Sequence, residues 1–93
     1  MAKKSEIPDN EGKIEKIAGK KVALFNKAGK ICAFSTICPH MRCDVLWNKR
    51  DKTWDCPCHG SRFQATGELM RGPAKRDLDK IGIKEKGDEL ELA

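Results

Sequence analysis

The sequence predicts an all-β fold whose chemistry is carried on loops. Three observations predict it. Short runs alternate apolar and polar residues, as in Lys13 to Ile17 and Glu89 to Leu92, the period of a strand with one buried face. Glycine-containing turns punctuate these runs at Ala18-Gly19-Lys20 and Lys27-Ala28-Gly29, and Gly87-Asp88 is a hairpin signal. No segment reads as a helix of ordinary length, as a repeat or as a linker.

Residues 1–6 are polar and read as flexible, and residues 7–12 as an entry loop. Lys13 to Ile17, Lys21 to Asn26 and Lys30 to Ile37 then form an antiparallel meander of three strands. Val45 to Asn48 and Thr53 to Asp55 read as a small hairpin turning at Lys49-Arg50-Asp51-Lys52. Arg62-Phe63-Gln64 is a short strand, and Leu69-Met70 pairs back onto it. Gly72-Pro73-Ala74 is a rigid kink. Ile81 to Lys86 and Glu89 to Leu92 close the chain as a final hairpin.

A chain of 93 residues makes one domain, 1–93. A domain of this size buries only about 60–65% of its unfolded surface, so a metal or a disulfide often supplements the core. The longest apolar runs are four residues, such as Val22-Ala23-Leu24-Phe25, far short of the roughly 18 that a membrane-spanning helix needs. The Met-Ala-Lys-Lys-Ser-Glu start has no apolar stretch behind its lysines, so no secretory signal is read and a cytoplasmic protein is expected. Five cysteines in such a chain point to metal or redox use. Net charge is +5, with lysines scattered as a solvated surface. The two Trp and three Phe are not interleaved with a basic run, which argues against nucleic-acid binding. Arg42, Arg62, Arg71, Lys75 and Arg76 cluster in sequence around the motifs described next. As a basic rim they would attract an acidic docking surface on a redox partner.

Those motifs are two boxes, Cys38-Pro39-His40-Met41-Arg42-Cys43 and Cys56-Pro57-Cys58-His59-Gly60-Ser61. Their spacing is Cys38-x-His40, fifteen residues, then Cys56-x-x-His59. The boxes lie at opposite ends of the small hairpin, so folding it brings them together. Two thiols and two imidazoles suit a [2Fe–2S] cluster held by two Cys and two His. The same four groups also suit a structural zinc, although zinc sites more often group two cysteines and then two histidines. Spacing alone leaves both readings open. Cys32, in the middle of a strand, reads as a small buried hydrophobe. Trp47 and Trp54 read as packing residues flanking the hairpin turn. Gly60 and Gly72 read as sites of unusual backbone conformation, and Pro39, Pro57 and Pro73 as stiffeners of their loops.

The boxes closely resemble those of Rieske iron–sulfur proteins, through Cys38-x-His40-x-x-Cys43 and Cys56-Pro57-Cys58-His59-Gly60-Ser61. Gly72-Pro73 resembles that family's third, proline-containing loop, which covers the cluster. The resemblance spans nearly the whole chain. It implies an antiparallel β-sandwich with a small cluster-binding subdomain of loops. It further implies a [2Fe–2S] cofactor, with Cys38 and Cys56 on one iron and His40 and His59 on the other. Cys43 and Cys58 match the pair that forms a disulfide between the loops in the respiratory and photosynthetic members. Ser61 matches a serine that donates to a bridging sulfide. Phe63 stands where the high-potential members have a tyrosine donating to a ligand sulfur.

With neutral imidazoles such a cluster is uncharged when oxidised, whereas four thiolates would leave two negative charges. Accepting an electron is then easier, and the potential rises into the range of roughly −150 to +300 mV. The missing tyrosine places the expected midpoint below that of quinol-oxidising subunits. Solvent-facing imidazoles would make it fall as pH rises.

The expected function is a soluble one-electron carrier, either free-standing or a redox domain of an oxidoreductase, with no independent catalytic site seen. The stretch from Trp47 through Phe63, with Gly72-Pro73-Ala74, most resembles Rieske domains attached to FAD-dependent oxidoreductases, which implies a flavoprotein partner. The alternatives are a subunit of a quinol-oxidising or dioxygenase electron-transfer chain, and a structural zinc module.

Overall fold

The computed structural model describes residues 2–38, 43–58 and 60–93. Among the described residues nine strands run in chain order: β1 (Gly12–Ile17), β2 (Lys20–Lys27), β3 (Lys30–Ser35), β4 (Leu46–Asn48), β5 (Thr53–Asp55), β6 (Arg62–Gln64), β7 (Leu69–Arg71), β8 (Ile83–Lys86) and β9 (Glu89–Leu92). They form three antiparallel sheets, β1-β2-β3, β4-β5-β6-β7 and β8-β9. The one helical element among the described residues is a 3-10 turn, Lys4–Glu6.

The apolar run Val22-Ala23-Leu24-Phe25 lies in β2, the central strand of the first sheet, and all four side chains are buried. Alternation along the strand sends them to opposite faces. Ala23 and Phe25 join one core with Phe34, Val45, Trp54, Phe63, Ala74 and Leu78. Val22 and Leu24 join a second core with Ala2, Ile7, Ile17, Ile31 and Leu90. The first sheet is therefore the middle layer. The four-stranded sheet covers one face, and the β8-β9 hairpin with the N-terminal segment covers the other. A strand covered on both sides reads as a continuous apolar run.

Several boundaries differ from the sequence expectation for identifiable reasons. β3 stops at Ser35 because Thr36 donates its hydroxyl to Asp44 at 3.0 Å and Ile37 pairs with Asp44. β8 starts at Ile83 because the Ile81 amide bonds the Ala33 carbonyl on the edge of β3 at 3.0 Å. At the N-terminus, Ala2 is fully buried and accepts from the Leu90 amide at 3.1 Å. Ser5 donates through both amide and hydroxyl to the Asp88 carboxylate, which holds that carboxyl below its ordinary pKa.

Candidate metal centre

Two loops leave the ends of the β4-β5 hairpin, and each opens on a cysteine. The first closes with a bond from the Cys38 amide to the Cys43 carbonyl, 3.0 Å. The second closes the same way, from the Cys56 amide to the Ser61 carbonyl, 2.8 Å. The two boxes thus share one backbone device, an N–H bonded five residues ahead. In the second box Gly60 sits at φ +81°, a region other residues rarely adopt, and its amide returns to the Cys56 carbonyl at 3.0 Å. At Gly72 the φ is not positive, so the glycine-only conformation expected there is not adopted; the departure from ordinary backbone is the cis peptide to Pro73.

Cys38 and Cys56 are free thiols, each only 2% exposed, within the core that faces the loops. Cys43 and Cys58 form a disulfide with Cα atoms 6.4 Å apart. His40 and His59 lie outside the described residues, as do Pro39, Met41 and Arg42. Cys32 is half-buried, opposite Phe25, and packs against the core as a small apolar group.

Ser61 is fully buried, and its hydroxyl oxygen accepts the Ala74 amide at 3.0 Å. That bond docks the proline loop onto the second box. The loop's far end is fixed by the Leu69 amide on the Asp77 carboxylate, 2.8 Å, and the Leu78 amide on the Gly67 carbonyl, 3.0 Å. Phe63 is fully buried opposite Trp54.

The hairpin beneath the boxes is braced on both faces. On the inner face Trp47 and Trp54 pack with centroids 4.7 Å apart, and the Trp54 indole donates to the Ala65 carbonyl at 3.1 Å. Trp47 also lies against Gly12 and donates to Glu11 at 3.2 Å, while Lys52 pairs with Glu11. The Lys52 bond, then the Trp47 bond, hold the Glu11 carboxyl below its ordinary pKa. Glu11 and Gly12 escaped sequence reasoning, since nothing local marks a loop residue as the seat of a distant indole.

On the outer face Arg62 reaches Asp51 at 2.6 Å and Asp55 at 3.1 Å. Its hydrogen bonds hold the Asp51 carboxyl low and keep the guanidinium charged. Burial pushes Asp55 up, but bonds from Thr53, Asn48 and Arg62 outweigh it and leave a lowered pKa. Two of the residues expected in a basic rim are ion-paired: Arg62 on the outer face of the sheet, and Arg76 with Asp79 at 3.2 Å. Arg71 and Lys75 are exposed, and among the described residues no carboxylate pairs with them.

This donor set fits an iron–sulfur group. Two buried thiols, unbridged and on loops locked by a neighbouring disulfide, are soft ligands shielded from water. The one bond that the Ser61 hydroxyl makes among the described residues is one it accepts, so its proton is available to a sulfide.

Comparison with known proteins agrees. The chain is 42% identical over 79 residues to YhfW of Bacillus subtilis, named as a Rieske 2Fe-2S iron-sulfur protein, covering 84% of this chain and 16% of that one. It is 37% identical over 90 residues to the cytochrome b6-f complex iron-sulfur subunit of Chlorobaculum thiosulfatiphilum, covering 97% of this chain and 50% of that one. The chain thus spans half or less of these two relatives. The plasma membrane Rieske protein PetC3 of Synechocystis PCC 6803 superposes with a TM-score of 0.76 at 31% identity, covering 88% of this chain and 85% of that one. Among the described residues no helix is long and apolar enough to cross a membrane. The Rieske [2Fe-2S] domain pattern matches residues 1–82, and with the disulfide-linked loops and the all-β architecture this places the chain in the Rieske family of [2Fe–2S] electron carriers.

Proposed function

We propose that Cys38 and Cys56 bind one iron of the cluster, that His40 and His59 bind the other, and that the domain passes single electrons to and from a flavoprotein in the cytoplasm. The observation that supports the ligand set is the pair of buried free thiols, Cys38 and Cys56, at matching positions of two loops closed by the same backbone bond. When bound, the cluster supplies a one-electron acceptor that is uncharged in its oxidised form. The chain's own part is to shield the thiolates, fix the loops through Cys43–Cys58 and direct the Ser61 hydroxyl. The flavoprotein assignment rests on the resemblance of the Trp47–Phe63 stretch to Rieske domains of FAD-dependent oxidoreductases. In YhfW the matched stretch is 16% of a longer protein, so a stretch similar to this chain occurs there as part of a larger one.

The ligand set is tested by iron, zinc and acid-labile sulfide analysis of anaerobic preparations, with electron paramagnetic resonance of the reduced protein. Cys38→Ser and Cys56→Ser should each lose the cluster, and His40→Cys should lower the midpoint potential. Stoichiometric zinc without sulfide would sink the assignment. The partner is tested by anaerobic stopped-flow mixing with a reduced flavin-dependent dehydrogenase.

A second reading, a quinol-oxidising chain, is favoured by the disulfide and by the similarity to the cytochrome b6-f subunit. Phe63 in place of a donor tyrosine opposes it. A midpoint at the top of the Rieske range would favour this second reading.

A further inference from the structure

A serine hydroxyl has one proton to give and lone pairs with which to receive. In Ser61 the Ala74 amide occupies the receiving side, at 3.0 Å, in a fully buried site. The hydroxyl proton is thereby turned away from the proline loop. Both partners are fixed independently. Ser61 is held by its carbonyl, which accepts the Cys56 amide at 2.8 Å. Ala74 is itself buried, and its loop is anchored through Asp77 and Leu78. The serine therefore meets a donor that is held in place by bonds of the chain's own. Without that donor a buried hydroxyl is free to rotate and to give its proton to a backbone carbonyl instead.

We propose that the Ala74 N–H is a positioning group, which fixes Ser61 as a donor toward the centre formed on Cys38 and Cys56 and so raises its reduction potential. The proline loop then tunes the centre through a hydrogen-bond relay as well as covering it. The inference rests on the cluster assignment above.

The direct test replaces the Ala74 peptide nitrogen by an ester oxygen in the holoprotein, which deletes the N–H and keeps the methyl group. Protein-film voltammetry should show a lowered midpoint, by a part of the fall that Ser61→Ala causes. In a Ser61→Ala background the ester should change nothing. No shift in the parent background overturns the proposal, and so does an equal fall in both, because the amide then acts without the serine.

A second measurement does not depend on the ester variant. Exchange of the Ala74 amide proton should be about tenfold faster in Ser61→Ala than in the parent, as one protecting bond is lost. Unchanged exchange overturns the relay. Iron and sulfide content, measured on each sample, separates the two levels. Cluster-free parent protein counts against the ligand assignment, while the exchange rate still reports on the Ser61–Ala74 contact.

Discussion

Cys43, which precedes β4, and Cys58, which follows β5, are bonded through sulfur, with Cα atoms 6.4 Å apart. The disulfide thus ties together the two loops that leave the β4-β5 hairpin. It closes a loop with a sequence separation of 15, for which chain entropy suggests about 3 kcal/mol of stabilisation. The Cys43→Ser/Cys58→Ser double variant should lose about 2–4 kcal/mol in urea unfolding, and should surrender iron faster to a chelator. An unchanged unfolding midpoint would show that the loops are held without it.

Gly12 leaves room for the Trp47 ring. A methyl group there would come within 2.6 Å of the indole, well inside contact distance. Gly12→Ala should therefore cost about 1–3 kcal/mol through overpacking. Intrinsic fluorescence should report the displaced indole, because Trp47 packs on Trp54 at 4.7 Å. Parent-like stability and emission would show that the base of the hairpin yields without strain.

Asp51 and Asp55 have folded pKa values below the ordinary carboxylate value. Groups of this sign contribute stability above the unfolded value of about 3.9 and lose it as pH falls through the folded value. Unfolding free energy should decline on acidification below about pH 4, and Arg62→Met should flatten that decline. Thermal melts at stepped pH check this, and parallel slopes for parent and variant would refute it.

Phe63 is fully buried in the core that also contains Cys38 and Cys56. Phe63→Tyr adds a hydroxyl that needs an acceptor. In the holoprotein the midpoint should rise, by about 59 mV if the new bond is about 1.4 kcal/mol stronger in the reduced state. In the cluster-free protein the same hydroxyl is left unsatisfied, and stability should fall by about 1–3 kcal/mol. A raised potential in one form with a lower stability in the other would identify a sulfur acceptor. An unchanged midpoint would place the hydroxyl elsewhere.

Most of the strand order was legible in the sequence, because period-two alternation and glycine turns are local signals. β5, β6 and β9 fall on the expected residues. The disulfide followed from resemblance, and the structure contains it. What local pattern could not supply was which layer covers which. The two-sided burial of Val22 to Phe25 depends on segments near both termini. The fate of Arg62 was hidden for the same reason. Its partners Asp51 and Asp55 lie across the strand pairing, so sequence proximity to the boxes did not show that Arg62 is engaged within the chain. The hydrogen bond that the Ala74 backbone donates to Ser61 leaves no trace in residue type.

The two-sided burial of β2 also bears on where this domain can be cut. The family pattern ends at residue 82, while β8 begins at Ile83. A fragment trimmed at that border would keep both cysteine boxes and lose Leu90 and its neighbours from over Val22 and Leu24. Its middle layer would then keep only the N-terminal segment, Ala2 and Ile7, over that side, and the fragment would be sticky and prone to self-association. The last eleven residues are better regarded as cladding for the sheet than as a dispensable tail.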